Sequence, residues 1–187
     1  LLYGLTRLEA EARRANQIVS YVQSYVRSAQ KRKVLIDLRA WLKEEASSYQ
    51  NSQGEQKVIV LEGEPVPYLI DKTDLGLMVR NLLRNALEAS LDLKNYPVEL
   101  SCYRLPEGEI VLEVSDRGPK LSRQDFENLS QPLKTTKVGG LGLGLSIVRL
   151  LAESYGGHLE FEQRTLNGLC ARIILPRLNI KEERQHA

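Results

Sequence analysis

Apolar residues recur at Leu5, Leu8, Ala12, Ala15, Val19, Val22, Val26 and Ala29. Alternating steps of three and four make an a/d seam of about four heptads, which predicts a long helix with one buried stripe. Tyr3, Ile18, Tyr21 and Tyr25 widen the stripe to that of a bundle helix, which needs a partner to cover it. Beyond residue 32 the period changes. Lys33–Leu38 reads as a short strand running into a helix over Leu38–Tyr49, with Trp41 and Leu42 facing inward. Lys57–Glu62 and Tyr68–Ile70 read as strands punctuated by Pro65 and Pro67. A helix follows over Leu75–Leu91, with Leu75, Met78, Leu82, Ala86 and Ala89 on one apolar face and Thr73 or Asp74 as its cap. Val98–Arg104 and Glu109–Ser115 alternate across Leu105-Pro-Glu-Gly108 and predict an antiparallel hairpin. Leu145–Ser154 is a helix ending at Gly156-Gly157. His158–Glu162 and Leu169–Leu175 form a last strand pair around Asn167-Gly168. Residues 179–187 are a polar tail. The division is a helix over 1–32, a mixed domain over 33–178 and the tail.

Composition changes this picture little. The 187 residues are 42% hydrophobic and 27% charged, ordinary for a soluble domain plus an appendage. The net charge is +2, with Lys and Arg spread along the chain, so no nucleic-acid surface is indicated. Cys102 and Cys170 match no metal spacing and sit in apolar strand patterns, which suggests buried free thiols and a reducing compartment. No apolar run approaches the ~20 residues of a membrane span. The chain opens at Leu1, and we read it as part of something longer.

Three stretches carry candidate chemistry. Lys137–Val148 holds Gly139, Gly140, Gly142 and Gly144 and feeds directly into a helix. Glycine backbone and free helix N–H groups make such a stretch either a phosphate cradle or simply a flexible turn. It is not a P-loop, because Leu145-Ser146 follows the last glycine where Lys-Ser or Lys-Thr is required. On the Leu75–Leu91 helix, Asn81, Asn85 and Glu88 share a polar stripe. Asparagine is a poor helix former, so the stripe is either a solvated face or a site for phosphate and Mg²⁺, a cation that takes hard oxygens such as that of an amide. Asp116-Arg-Gly-Pro119 ends a strand. It is either an Asp-Gly turn or a fixed acceptor for an amino group such as that of adenine.

Taken in order, Met78–Ala89, Ile110–Pro119 and Lys137–Val148 resemble the N, G1 and G2 boxes of the ATP-binding domain of sensor histidine kinases. That group belongs to the wider class of DNA gyrase, the MutL proteins and the ninety-kilodalton heat-shock chaperones. The resemblance covers roughly residues 5–176 and is nearest to kinases of the nitrogen-fixation and dicarboxylate-sensing type. It implies an α+β fold: an α/β sandwich with a mixed, largely antiparallel sheet and helices on one face, the Bergerat-type ATP-binding fold, preceded by the heptad-patterned helix. It implies ATP and Mg²⁺ as cofactors. Asn85 would be the metal ligand, Asn81 would lie beside the phosphates and Asp116 would contact adenine, with Gly118 letting the base approach. Thr136, Lys137, Gly140, Gly142, Gly144 and Leu145 would surround the nucleotide, and Asn81 and Lys137 would be the catalytic pair.

The gyrase and chaperone branches carry a water-activating glutamate where Asn81 stands. An amide cannot act as a general base, which suits phosphoryl transfer to a histidine. Glu11–Val26 resembles the second helix of a dimerisation bundle, implying a homodimer. The acceptor histidine belongs on the first helix of such a bundle. Neither His158, at a strand start, nor His186, in the tail, fits that place, so this chain is not expected to phosphorylate itself. The family passes its phosphoryl group to an aspartate of a response-regulator receiver domain. The resemblance implies a cytoplasmic location for this region, whether or not the parent protein is anchored in the inner membrane. Two features depart from the pattern. Lys120 replaces a second glycine, and Leu133 and Lys134 replace two phenylalanines, which bears on how the glycine lid closes. An ATPase of the wider class, and a catalytically weak pseudokinase or dimerisation module, therefore stand as alternatives.

Overall fold

The computed structural model describes residues 32–53, 58–90, 96–129 and 143–178. The heptad-patterned helix up to residue 31 and the tail over 179–187 lie outside the described residues. The elements are β1 (Val34–Asp37), α1 (Leu38–Gln53), β2 (Val58–Val60), β3 (Pro67–Ile70), α2 (Lys72–Ala89), β4 (Val98–Arg104), β5 (Ile110–Ser115), α3 (Arg123–Leu129), α4 (Leu143–Ser154), β6 (His158–Gln163) and β7 (Leu169–Leu175). The main sheet has the order β2-β4-β5-β7-β6, and β1 and β3 form a separate antiparallel pair. Only β2 with β4 is parallel; the β4-β5, β5-β7 and β7-β6 ladders are antiparallel. The mixed, largely antiparallel sheet is the one the family resemblance implies, and it contains the predicted β4-β5 hairpin.

The register follows from the alternation of apolar residues. Cys102, Leu112 and Ile173 stand side by side across β4, β5 and β7, as do Leu100, Val114 and Ala171. Because side chains alternate along a strand, these rows share one face. They meet Leu42 of α1, Met78 and Leu82 of α2, and Ile147 and Leu151 of α4 in a single core. The other face carries a charged lattice. Arg172 reaches Glu113 at 2.7 Å and Glu162 at 2.6 Å, and Arg164 reaches Glu99 at 3.1 Å.

Helix α2 begins three residues earlier than the pattern suggests. Asp71, not Thr73 or Asp74, is its N-cap, accepting from the Thr73 and Asp74 amides at 2.8 and 3.3 Å. Asp74 is instead 3% exposed and takes the Tyr155 hydroxyl at 2.9 Å. The Asp71 amide donates to the same phenol oxygen at 3.2 Å. Burial, before any other cause, drives the Tyr155 phenol well above its usual range. This cluster pins the C-terminal end of α4 to the N-terminal end of α2, holding the two helices that flank the site. The sequence reading missed α3. Its signal was Ser122-Arg-Gln-Asp125, in which the Ser122 hydroxyl accepts the Asp125 amide at 3.1 Å and donates to its carboxylate at 2.7 Å.

Cys102 and Cys170 are free and buried, and burial pushes both thiols up to about 11. At pH 8 only about one part in a thousand is thiolate, so neither should react with a thiol reagent until the chain unfolds; rapid labelling of the folded protein would contradict this burial. The unfolded thiols titrate near the ordinary ~8.5. These groups leave stability unchanged below that value and lower it as pH climbs towards about 11.

Candidate functional site

Helix α2 is the floor of the site. Asn81, Arg84, Asn85 and Glu88 fall on one arc of it, at the i+3 and i+4 spacings that put residues side by side. The opposite face, with Leu75, Met78, Val79, Leu82, Leu83 and Ala86, is buried in the core. The polar arc is therefore held rigidly by packing beneath it.

One end of the arc meets Asp116. This aspartate follows β5 and is 5% exposed. Its Oδ1 accepts the Gly118 amide at 2.7 Å and the Leu169 amide at 3.2 Å, while its own amide donates to the Leu169 carbonyl at 2.9 Å. A carboxylate held by two backbone donors is a fixed acceptor rather than a mobile surface charge. The turn depends on two glycines. A Cβ on Gly118 would stand 2.8 Å from the Ala89 Cβ and 3.0 Å from Asp116 Oδ1. Gly168 has φ +103°, and a Cβ there would lie 2.0 Å from the Asp116 carbonyl oxygen. Gly118 thus brings the Asp116 loop against Ala89, at the last turn of α2. The next residue, Ser90, is 2% exposed, and its hydroxyl has no hydrogen-bond partner among the described residues.

The other end meets the first turn of α4. A Cβ on Gly144 would lie 3.1 Å from Asn81 Oδ1 and 3.3 Å from an Arg84 guanidinium nitrogen, so the turn sits close against both side chains. Leu145 anchors the turn by packing against the core. Asn81, 8% exposed, donates its amide to the Leu77 carbonyl at 2.7 Å and accepts from Arg84 at 2.9 Å. The Asp116 and Gly144 ends are separated by the eight residues from Asn81 to Ala89, about 12 Å along the helix. Asn85 lies between them, half-buried.

Of the predicted site residues, Asn81, Asn85, Asp116, Gly118, Gly144 and Leu145 are brought together around α2. Thr136, Lys137, Gly140 and Gly142 lie outside the described residues. Arg84 and Ser90 were not anticipated. Arg84 was legible as the i+3 neighbour of Asn81; the burial of Ser90 was not. Among the described residues no group of three or more His, Cys, Asp or Glu side chains is placed to hold a metal. The Asn85 amide oxygen is a hard ligand of the kind Mg²⁺ takes when phosphate and water supply the rest.

Comparison with known proteins adds a family and a set of relatives. Residues 70–179 match the family model described as histidine kinase-, DNA gyrase B-, and HSP90-like ATPase. The chain is 30% identical to the sensor protein kinase PilS of Pseudomonas aeruginosa over 89% of its own length and 32% of that protein. It is 30% identical to the sensor protein FixL of Bradyrhizobium diazoefficiens over 92% of its length and 35% of that protein. With the C4-dicarboxylate transport sensor protein DctS of Rhodobacter capsulatus it shares 29% identity over 94% of its length and 27% of that protein. It thus spans about a third of the length of these relatives. Among solved structures it resembles full-length ShkA in complex with AMPPNP, with a TM-score of 0.71 at 20% identity over 86% of this chain and 34% of that one. The nucleotide-free catalytic domain of the histidine kinase ThkA gives 0.66 at 23% identity over 78% of this chain and 95% of that one.

Proposed function

We propose, proceeding from the fact that this chain belongs to the histidine kinase-, DNA gyrase B-, and HSP90-like ATPase family, that it is the ATP-binding catalytic region of a sensor histidine kinase. It binds ATP with Mg²⁺ and transfers the γ-phosphoryl group to a histidine of a bundle helix. The observation that carries this reading is the Asp116 carboxylate, fixed by the Gly118 and Leu169 amides at one end of α2, with Asn81 and the α4 N-terminus at the other. The first suits the amino edge of adenine; the second suits the anionic tail.

In this reading Asp116 accepts from the adenine amino group, and a guanine oxygen at that place would meet only a second acceptor. Asn85 would hold Mg²⁺, and the chemistry the ion would supply there is neutralisation of phosphate charge. Lys137 adds a positive charge beside the lid formed with Thr136, Gly140 and Gly142. Residues 33–178 form the catalytic domain, and the 1–32 helix belongs to a bundle through which two copies pair. The phosphoryl group passes on to a response-regulator receiver domain, and the region works on the cytoplasmic side. Among the described residues no helix is long and apolar enough to cross a membrane.

An ATPase of the wider class is disfavoured by Asn81. Its amide is engaged by the Leu77 carbonyl and by Arg84, and it cannot take a proton from water. Rapid hydrolysis by this chain would reverse that judgement.

Calorimetry of ATP-analogue binding with and without Mg²⁺ tests the reading. Wild-type protein should bind more tightly with the metal, and Asn85→Ala should lose most of that metal-dependent gain, about tenfold for one ligand. An undiminished metal effect in Asn85→Ala would remove the ligand assignment. No nucleotide binding by folded wild-type chain would remove the kinase reading itself.

A further inference from the structure

We propose that Arg84 is a phosphate-binding residue of this site, its guanidinium presented against the first turn of α4 by Asn81. The inference rests on the nucleotide-site reading above and adds a residue to it.

Three observations carry it. The first is position. An Arg84 Nη2 donates to Asn81 Oδ1 at 2.9 Å and lies 3.3 Å from where a Cβ on Gly144 would be, so the cation stands beside the opening turn of a twelve-residue helix. The second is charge. The N-terminal end of a helix carries partial positive charge on amides that have no intrahelical acceptor. A guanidinium placed there is repelled, and an anion between the two satisfies both. The third is the state of the guanidinium. Arg80, one turn earlier, is neutralised by Glu45 at 2.9 Å. Arg84 has no carboxylate partner among the described residues, and its one hydrogen bond there goes to a neutral amide. A guanidinium has five N–H donors, so most of its fork is left for a ligand. Among the described residues Tyr49 of α1 feels it, and there the Arg84 charge opposes the upward push of burial on the phenol.

The same geometry recasts Asn81. Its side chain is doubly used within the protein, tied back to the Leu77 carbonyl and forward to Arg84. It is a positioning residue that fixes the cation at the helix end.

Binding of Mg²⁺-AMPPNP and of adenosine to wild type, Arg84→Gln and Arg84→Lys tests this, with thermal melting to verify folding. A phosphate contact predicts that Arg84→Gln weakens AMPPNP about ten- to a hundredfold and leaves adenosine unchanged, with Arg84→Lys in between. Unchanged AMPPNP affinity overturns the proposal. Equal loss for AMPPNP and adenosine also overturns it, because a structural role would move both together. Failure of wild type to bind either ligand is a different result and strikes at the nucleotide-site reading.

Discussion

Replacing Asp116 by Asn is expected to weaken ATP binding about a hundredfold while leaving the fold intact. The carboxylate is 5% exposed and its Oδ1 accepts two backbone amides, so its orientation is set before any ligand arrives. Asparagine keeps one acceptor oxygen. Those amides will take it, because leaving two backbone donors unsatisfied in a buried turn costs more than weakening both bonds. The amide NH₂ is then turned to the ligand, where it meets the adenine amino group donor to donor. The loss is the charge-assisted hydrogen bond, about 1.5–3 kcal/mol, plus the cost of that mismatch. Calorimetry against an ATP analogue measures both parts together, and thermal melting checks that the fold survives. Stability should fall by about 1 kcal/mol. A variant that binds ATP within threefold of wild type would show that Asp116 serves only its own turn.

Arg39→Met is expected to lower stability by about 3–5 kcal/mol. Arg39 is 7% exposed, and its guanidinium donates to the backbone carbonyls of Leu61, Glu64 (2.9 Å) and Cys102. The reason lies in the sheet. Strand β2 is only three residues long and its ladder with β4 ends near Leu61, whose amide donates to Leu100 at 2.8 Å. Beyond that point the Cys102 carbonyl has no strand to pair with, and the arginine replaces one. Gly63 leaves room for it, since a Cβ there would stand 2.6 Å from the guanidinium. Methionine fills the volume but supplies no donor, stranding buried carbonyls. Arg39→Lys should recover little, because a single ammonium cannot fork to three acceptors. Urea denaturation decides it. A change below about 1 kcal/mol would mean that water enters and satisfies those carbonyls.

Most strands were readable because each keeps one face buried. Val98–Arg104 and Leu169–Leu175 were bounded to the residue: the first alternates apolar with polar, and the second is a short, mostly apolar run closed off by Gly168 before it and Pro176 after it. The N-terminus of α2 was harder to place. Asp71, Thr73 and Asp74 are all good caps by type. Only the Tyr155 hydroxyl, brought from the end of α4, claims Asp74 and leaves the cap to Asp71. Helix α3 is short, with no buried residues, so it has no apolar period to betray it.

By itself the sequence determined the class of fold, the order of its strands along the chain, and the residue types of a nucleotide site: an acid after a strand, two asparagines on one helical stripe, glycines leading into a helix. Those are local facts, set by side-chain period and by backbone freedom. Tertiary structure alone decided which polar groups became neighbours. It put Asp116 under the amide of Leu169, fifty-three residues away, and Arg84 against Gly144. It also sent Arg39 to the unpaired end of β4. Such pairings depend on where separate elements dock, and docking is driven by burial of the apolar faces, which is blind to the polar contacts it creates.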